Sequence, residues 1–398
     1  MDNSQKTKIV INQEDLMKFA GKIALADQRI NRRRVHDADV LVFIAVAAIL
    51  SGVETWTEME FYAKIKDPLW LKLFPGYTKA PSHDTFNRFF SMLDPQVFEV
   101  HFRDWIRDIM QGVNYRGQIA IDGKTISKAS ETDEEKILRK NGEITIPKSK
   151  MHIISAYATE LNLSLGQIKT DVKSNEITHV PMLLDTLDVK GCVISLDAMG
   201  CQTAIAKKII EKDADYVLFV KDNQRALRKH IKYILDSDAK KPRKTRNSRH
   251  TTVDDNHGRI ETRECFICNE KLCFGTHLNR WEGVKSMAVI HSTRYIKATG
   301  EKSEEYRYVI SSLKANAKEI LEYARNHWAI ENNLHWQLDV SFNEDGGRRK
   351  NNAAQNFSML SKMALTILKQ EETKIGIKSK RKMAGWSTEY LLGLMNQF

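Results

Sequence analysis

The sequence predicts an α/β chain in which a helical first quarter precedes a sheet-bearing remainder. Three observations carry this. Up to about position 112, apolar residues recur at the 3.6-residue spacing of helices. From about Gln118, short β-rich apolar runs alternate with helical ones. The chain has 398 residues, more than one core usually accommodates, so division into several domains is expected.

The helical part is legible segment by segment. Val40 to Leu50 (VLVFIAVAAIL) is wholly apolar but about half the ~20 residues a bilayer-spanning helix needs, so it reads as a buried helix. Thr55 to Ala63 follows with helical spacing, and then comes a loop marked by Pro68, Pro75, Gly76 and Pro81. Ser82 is a natural N-cap for a helix that places Phe86, Phe89 and Phe90 on one face. Pro95 opens the next helix. Arg32, Arg33, Arg34 and Arg88 would let this domain (1–112) touch DNA, but no helix-turn-helix signature separates that role from simple packing.

The sheet-bearing part begins with three strands: QIAIDGKT, HIISAYAT and LSLGQIKT. A helix (THVPMLLDTL), a strand (CVISLDAMG), a helix (CQTAIAKKIIEK) and a strand (DYVLFVKDN) complete the series. An antiparallel meander leading into a parallel α/β portion is the order of an RNase H-like fold. We expect its first part over 113–237. A β-rich insertion over 238–304 interrupts it and carries the basic run Lys240 to Arg249, with Arg243, Lys244 and Arg246 available to track phosphates. The second part, 305–370, holds a long helix from about Ala315 to Leu338, and a basic tail, 371–398, ends the chain.

Bulk composition narrows the function. Lys and Arg outnumber Asp and Glu 62 to 51, giving a formal charge of +11 and a pI near 9.2. That balance favours a polyanionic partner. The N-terminus lacks a signal-peptide layout, so a cytoplasmic, nucleoid-associated protein with no membrane partner is expected. Five cysteines, an odd number in a large chain, argue against a disulfide framework. Cys265, Cys268 and Cys273 have part of a zinc-site spacing, but the segment alternates like a strand and lacks a second ligand pair.

Two aspartates stand out. Asp122 follows Ile119-Ala120-Ile121, and Asp197 follows Val193-Ile194-Ser195-Leu196, each where a strand is expected to give way to a loop. In α/β folds, ligands sit beyond strand ends. A lone Asp there is usually a turn residue; two on neighbouring strands suggest a site. Glu331 lies in NHWAIENNLHWQLDV, where helical spacing would align His327, Glu331, His335 and Asp339. Three carboxylates brought together repel one another unless a proton or cations neutralise them, and oxygen ligands select Mg2+ or Mn2+. Two such ions about 4 Å apart suit phosphoryl transfer. Lys124, Lys221, Arg348 and Arg349 are candidate neighbouring cations.

These residues resemble the DDE transposases of bacterial insertion sequences, in the H-repeat-associated branch. The motifs are IAIDGKT, GQIKTDVKSNEITHVPMLL, DAMGCQ, YVLFVKDNQ, HGRIETR, RYVISS and RNHWAIENNLHWQLDVSFNED, in order over about Ala38 to Leu368. The resemblance implies that Asp122, Asp197 and Glu331 form the metal-binding catalytic triad. It also implies an RNase H-like core with a β-rich insertion between the second Asp and the Glu. The implied substrates are double-stranded DNA at the terminal inverted repeats and at the target. Water attacks the end phosphodiester first, the freed 3′-OH then attacks target DNA, and paired ends make a homodimer at synapsis. The wider group carries Tyr-x-x-Arg-x-x-x-Glu-x-x-x-x-x-x-Lys; here those flanking positions hold Ala324, His327 and Leu338, so the phosphate clamp does not transfer. His327 could still donate to a phosphate.

Other readings are a same-fold nuclease that does not transpose, a DNA-binding regulator with an inert core, and a carboxylate-pair glycosidase, which the basic charge disfavours. Trp281, Trp328 or Trp336 would stack on an unpaired base if ends pass through a hairpin; Trp281 is the preferred candidate and Trp336 is expected in the core.

Overall fold

The computed structural model describes residues 9–27, 29, 35–127, 141, 151–170, 176–235, 248–314, 316–347, 349 and 351–396. Arg32, Arg33, Arg34, Arg243, Lys244, Arg246 and Arg348 therefore lie outside the described residues. The chain divides into two compact units: Met1–Asn114 with Gly123–Lys173 and Glu331–Phe398, and Tyr115–Asp122 with Ser174–Ile330.

The first unit contains helices α1 (Gln13–Leu25), α2 (Ala38–Leu50), α3 (Trp56–Ile65), α4 (Asp67–Leu73), α5 (His83–Met92) and α6 (Pro95–Ile109). Asp37 precedes α2, which is apolar on every side and buried at every position from Val40 to Leu50. Thr55 and Glu58 close a reciprocal capping box on α3. The Ser82 hydroxyl accepts the Thr85 amide at 3.3 Å and starts α5, whose Phe86, Phe89 and Phe90 are buried as their spacing predicts. The same unit holds strands β2 (Met151–Ala158) and β3 (Leu163–Thr170), paired antiparallel, and the far end of β1 (Gln118–Ile126). A helix of 18 residues, Ala353–Gln370, packs against α2 and is buried on nearly all sides. Each fully buried Leu, Ile or Phe in such a helix contributes about 1.5–3 kcal/mol.

The second unit orders its strands β1-β4-β5-β9-β8-β7-β6. Here β4 is Val193–Leu196, β5 Asp215–Val220, β6 Ser248–Asn256, β7 Arg259–Cys268, β8 Ser286–Ile296 and β9 Lys302–Ser311. The first three are parallel; β5 to β9 and every later pairing is antiparallel. Helix α7 (Glu176–Asp185) leads into β4, and α8 (Thr203–Glu211) connects β4 to β5. Helix α9 (Arg225–Leu235) and the short α10 (Gly275–Asn279) follow. The strands expected as an insertion extend the sheet beyond β5. They share a core with it: Val217 and Phe219 pack with Cys265, Ile267, Ala288, Ile290 and Val309 under α11 (Ala317–His327). This is a mixed α/β architecture with a large sheet and a helical N-terminal region. The five cysteines are buried and none forms a disulfide, and burial pushes the Cys265 and Cys268 thiols up to about 12. No helix among the described residues is long and apolar enough to cross a membrane.

The long helix expected from Ala315 to Leu338 is broken. It stops at His327, and a π-helical turn, Glu331–His335, precedes α12 (Trp336–Val340). A π turn inserts extra backbone and so rotates the helix on its C-terminal side. The expected stripe is therefore not one face: His327 and His335 are buried, whereas Glu331 is exposed.

Candidate active site

Asp122 and Asp197 meet because β1 and β4 run parallel in register. Ile119 pairs with Ile194 and Ile121 with Leu196, so the two aspartates take the next matched positions. Adjacent strands lie about 4.8 Å apart. β1 itself continues to Ile126, so Asp122 marks where its partner ends and not where the strand ends, as the sequence had suggested. Asp197 ends β4 and folds back: its Oδ1 accepts the amides of Met199 at 2.9 Å and Gly200 at 3.3 Å. No hydrogen bond reaches its Oδ2 among the described residues. Burial, then the charge of Asp122, raises the Asp197 carboxyl above its ordinary range, and Glu176 adds to the effect. Glu176, in the first turn of α7, was not singled out from the sequence although it lies in the quoted KSNEITHV stretch.

A buried relay fixes the two strands to α11. Gln118 Nε2 donates to Ser195 Oγ at 2.7 Å and to the Tyr323 carbonyl at 2.9 Å. Ser195 Oγ lies 3.0 Å from His327 Nδ1. Burial pushes His327 down to about 4 against the opposing pull of Asp122, so its ring is neutral at pH 7. An unfolded histidine titrates near 6.5. Between these values the unfolded chain binds the extra proton, so the contribution is complete above 6.5 and is lost as pH falls towards 4. We expect His327→Gln to remove an acid-side loss of about 3 kcal/mol, read from urea melts at neutral and acid pH. Equal pH dependence in the two proteins would contradict this.

A cleft of about 250 Å3 opens at the carboxyl ends of β4 and β5. Asp197, Phe219, Lys221, Arg228, Arg307 and Trp328 line it, together with Asp222 and Glu305. Arg228 bridges Asp222 at 2.6 Å, and Arg307 holds Glu305 at 2.6 and 2.9 Å. The Arg307 guanidinium lies 3.7 Å from the ring centre of Trp328, which is 40% exposed. Arg228 and Arg307 were not singled out from the sequence, although Arg307 opens the quoted RYVISS motif.

The remaining candidates separate. Lys221 is exposed at the cleft. Trp281 is 2% exposed, a core residue that no base can reach, whereas Trp336, expected in the core, is 53% exposed. In the first unit, Arg349 is buried on the Phe357 ring at 3.5 Å and donates to the Glu54 carbonyl at 2.8 Å. Lys124 bridges Glu344 and Asp339 (the latter at 2.5 Å) and is not free for a phosphate. Glu331 belongs to the first unit and opens the π turn. Among the described residues, no three His, Cys, Asp or Glu side chains are gathered as a metal site.

Comparison with known proteins gives this arrangement a context. Residues 116–367, more than half of the chain, match the family model described as "Transposase DDE domain". The chain belongs to the DDE transposase family. Residues 23–106 match the model described as "DDE_Tnp_1-associated", so the helical region also has counterparts in the family. Among transposase relatives, the putative transposase YncI of Escherichia coli O157:H7 is 37% identical over 89% of this chain and 88% of its own length. The H repeat-associated putative transposase YhhI of Escherichia coli K12 is 35% identical over 93% and 95%. Among solved structures, a piggyBac transposase synaptic complex with hairpin DNA aligns over 98% of this chain and 82% of its own, at a TM-score of 0.42 and 10% identity.

Proposed function

We propose that this DDE transposase hydrolyses phosphodiesters at the ends of its element and joins the freed 3′-OH to target DNA. Asp122, Asp197 and Glu331 are the proposed triad. The observation that supports the reading is the in-register pairing of β1 with β4, which brings Asp122 next to Asp197, a residue that lines the cleft. Two like charges on buried, adjacent strands raise the free energy of the fold, so their retention points to a ligand that relieves them. The donor set fits a hard divalent cation: carboxylate oxygens, with Asp197 Oδ2 accepting no hydrogen bond among the described residues. When bound, Mg2+ or Mn2+, as two ions, would supply charge neutralisation and polarise the phosphate. The protein's own part is positioning. The Gln118–Ser195–His327 relay holds both strands, and the Met199 and Gly200 amides aim Asp197 and favour its ionised form against burial and Asp122.

Within this proposal the fold is RNase H-like, with meander β1–β3 and parallel portion β1-β4-β5. Its functional segments are 1–112, 113–237, 238–304, 305–370 and 371–398. The partners are double-stranded DNA at inverted repeats and target, and a second copy at synapsis.

Glu331 is tested separately. With Mg2+ or Mn2+ and a duplex carrying the DNA that flanks its own gene, we expect Glu331→Gln to bind as wild type does and to cut about 10^3-fold more slowly. Cutting at the wild-type rate would remove Glu331 from the triad. Binding without cutting by wild type itself would favour a regulator with an inert core, and cutting without joining a pre-cut end would favour a nuclease.

A further inference from the structure

Helix α9 departs from the charge pairing of several other helices, as the basic helix Ile377–Trp386 does, but α9 alone of these two has a residue lining the Asp197 cleft. In those several helices exposed lysines sit one turn from a glutamate: Lys18 with Glu14 in α1, Lys64 with Glu60 in α3, and Lys207 with Glu211 in α8. In α11, Lys318 and Glu322 repeat the arrangement. Such pairs stabilise a solvated helix face. α9 reads RALRKHIKYIL, with four Lys or Arg and no Asp or Glu. Its apolar side, Leu227, Ile231 and Leu235, is buried. Arg225, Lys229 and Lys232 recur at i, i+4 and i+7 on the exposed side. Arg225 and Lys229 pair with no acid among the described residues. Like charges one turn apart destabilise a helix by a few tenths of a kcal/mol, so Arg225 and Lys229 are not the arrangement that favours a merely solvated face.

The stripe also adjoins the cleft. Arg228, on the same helix, lines it beside Asp197, with its guanidinium 5.6 Å from the centre of the Tyr308 ring. Lys221 lines the same cleft, just before the short turn that leads into α9. A rise of 1.5 Å per residue separates Arg225 from Lys232 by roughly 10 Å. B-DNA carries a phosphate about every 3.4 Å of axis along one strand, so a duplex offers enough phosphates over this length for each of the three cations to meet one.

We propose that α9 is the track along which the phosphate backbone of duplex DNA runs into the Asp197 cleft, with Arg225, Lys229 and Lys232 on successive phosphates and Arg228 at the entrance. This deepens the proposed function and rests on it. It puts the cations that the missing clamp motif would have provided on α9, not on the helix preceding Glu331.

The test is the salt dependence of binding to a short linear duplex, measured without divalent metal. It compares wild type, the triple variant Arg225→Gln/Lys229→Gln/Lys232→Gln, and a control, Lys374→Gln/Lys378→Gln/Lys382→Gln, which removes three exposed lysines elsewhere. Each lost phosphate contact reduces the slope of log Kobs against log salt by about 0.9, so the α9 variant should be shallower by about 2.7 while the control keeps the wild-type slope. Because the altered side chains are exposed, both variants should melt as wild type does. An unchanged slope in the α9 variant, or equal flattening in the control, overturns the proposal. So does lost binding to anionic phospholipid vesicles with the duplex slope unchanged. Because no metal is present, a chain that binds along α9 but never cuts would refute the catalytic reading and leave this one standing.

Discussion

Asp197→Asn is expected to abolish metal-dependent cutting and, in metal-free protein, to raise stability. The two effects have one cause. Asp197 sits at the end of β4, in register beside Asp122, and is partly buried; burial and the charge of Asp122 both disfavour its ionised form. The amides of Met199 and Gly200 offset part of this cost, and an Asn oxygen can still accept them. Replacing the carboxylate therefore keeps the turn and removes the repulsion. Relief of that repulsion predicts a higher melting temperature than wild type in chelator. The cutting rate should fall by about 10^3-fold or more, because a charge-neutralising ligand contributes several kcal/mol to phosphoryl transfer. Asp122→Asn should act in the same direction. A purely structural Asp197 predicts the reverse: lower stability and unchanged cutting. Thermal melts in chelator, together with a single-turnover cutting assay, separate the two.

Lys124→Met is expected to cost about 3–5 kcal/mol in stability, the scale of breaking a buried ion pair by removing one partner. The Lys124 ammonium bridges Glu344 and Asp339, and the Glu344 side chain is 2% exposed. Burial lowers the Lys124 pKa, but the two carboxylates outweigh it and hold the group above its ordinary value. Without Lys124, Glu344 keeps a bond from Ser358 Oγ at 2.7 Å and the more distant charge of Lys362. Adding Glu344→Gln should recover most of the loss, because the stranded charge is then gone. Urea melts of the single and double variants decide this. If Lys124→Met melts like wild type but loses DNA affinity, the residue is a phosphate contact after all, as the sequence had suggested.

The elements that local pattern determines could be read directly. The apolar run Val40 to Leu50 had one environment that suited it, and Ser82 had one cap to make. The strand runs before Asp122 and Asp197 placed both carboxylates just past the paired stretch of β1 and β4, although only pairing could show that β1 continues past Asp122. Long-range contact set what the sequence misjudged. Lys124, Arg349 and Trp281 look like solvent-facing binding groups until the partners that bury them, Glu344, Phe357 and the surrounding core, are known. The π turn at Glu331 has no local signature, since five residues of helix-compatible sequence accommodate either winding. Arg228 and Arg307 are far apart in the chain and become neighbours only when β9 pairs with β5. The strands after residue 248 were legible as strands, but their continuation of the β5 edge was not.

The most direct test of the central claim is sulphur substitution at the scissile phosphate of an end-bearing duplex, in single turnover, with wild type and Asp197→Asn. Oxygen-loving Mg2+ tolerates a sulphur ligand poorly, whereas softer divalent ions accept it. If carboxylate-held cations contact that phosphate, wild type cuts the ordinary duplex in Mg2+ and not in chelator. It then stalls on the sulphur-substituted duplex in Mg2+ and recovers when Mn2+ replaces it, and Asp197→Asn cuts under none of these conditions. Cutting that persists in chelator, or in Asp197→Asn, would contradict the assignment of Asp122 and Asp197 as the metal-binding centre of this enzyme.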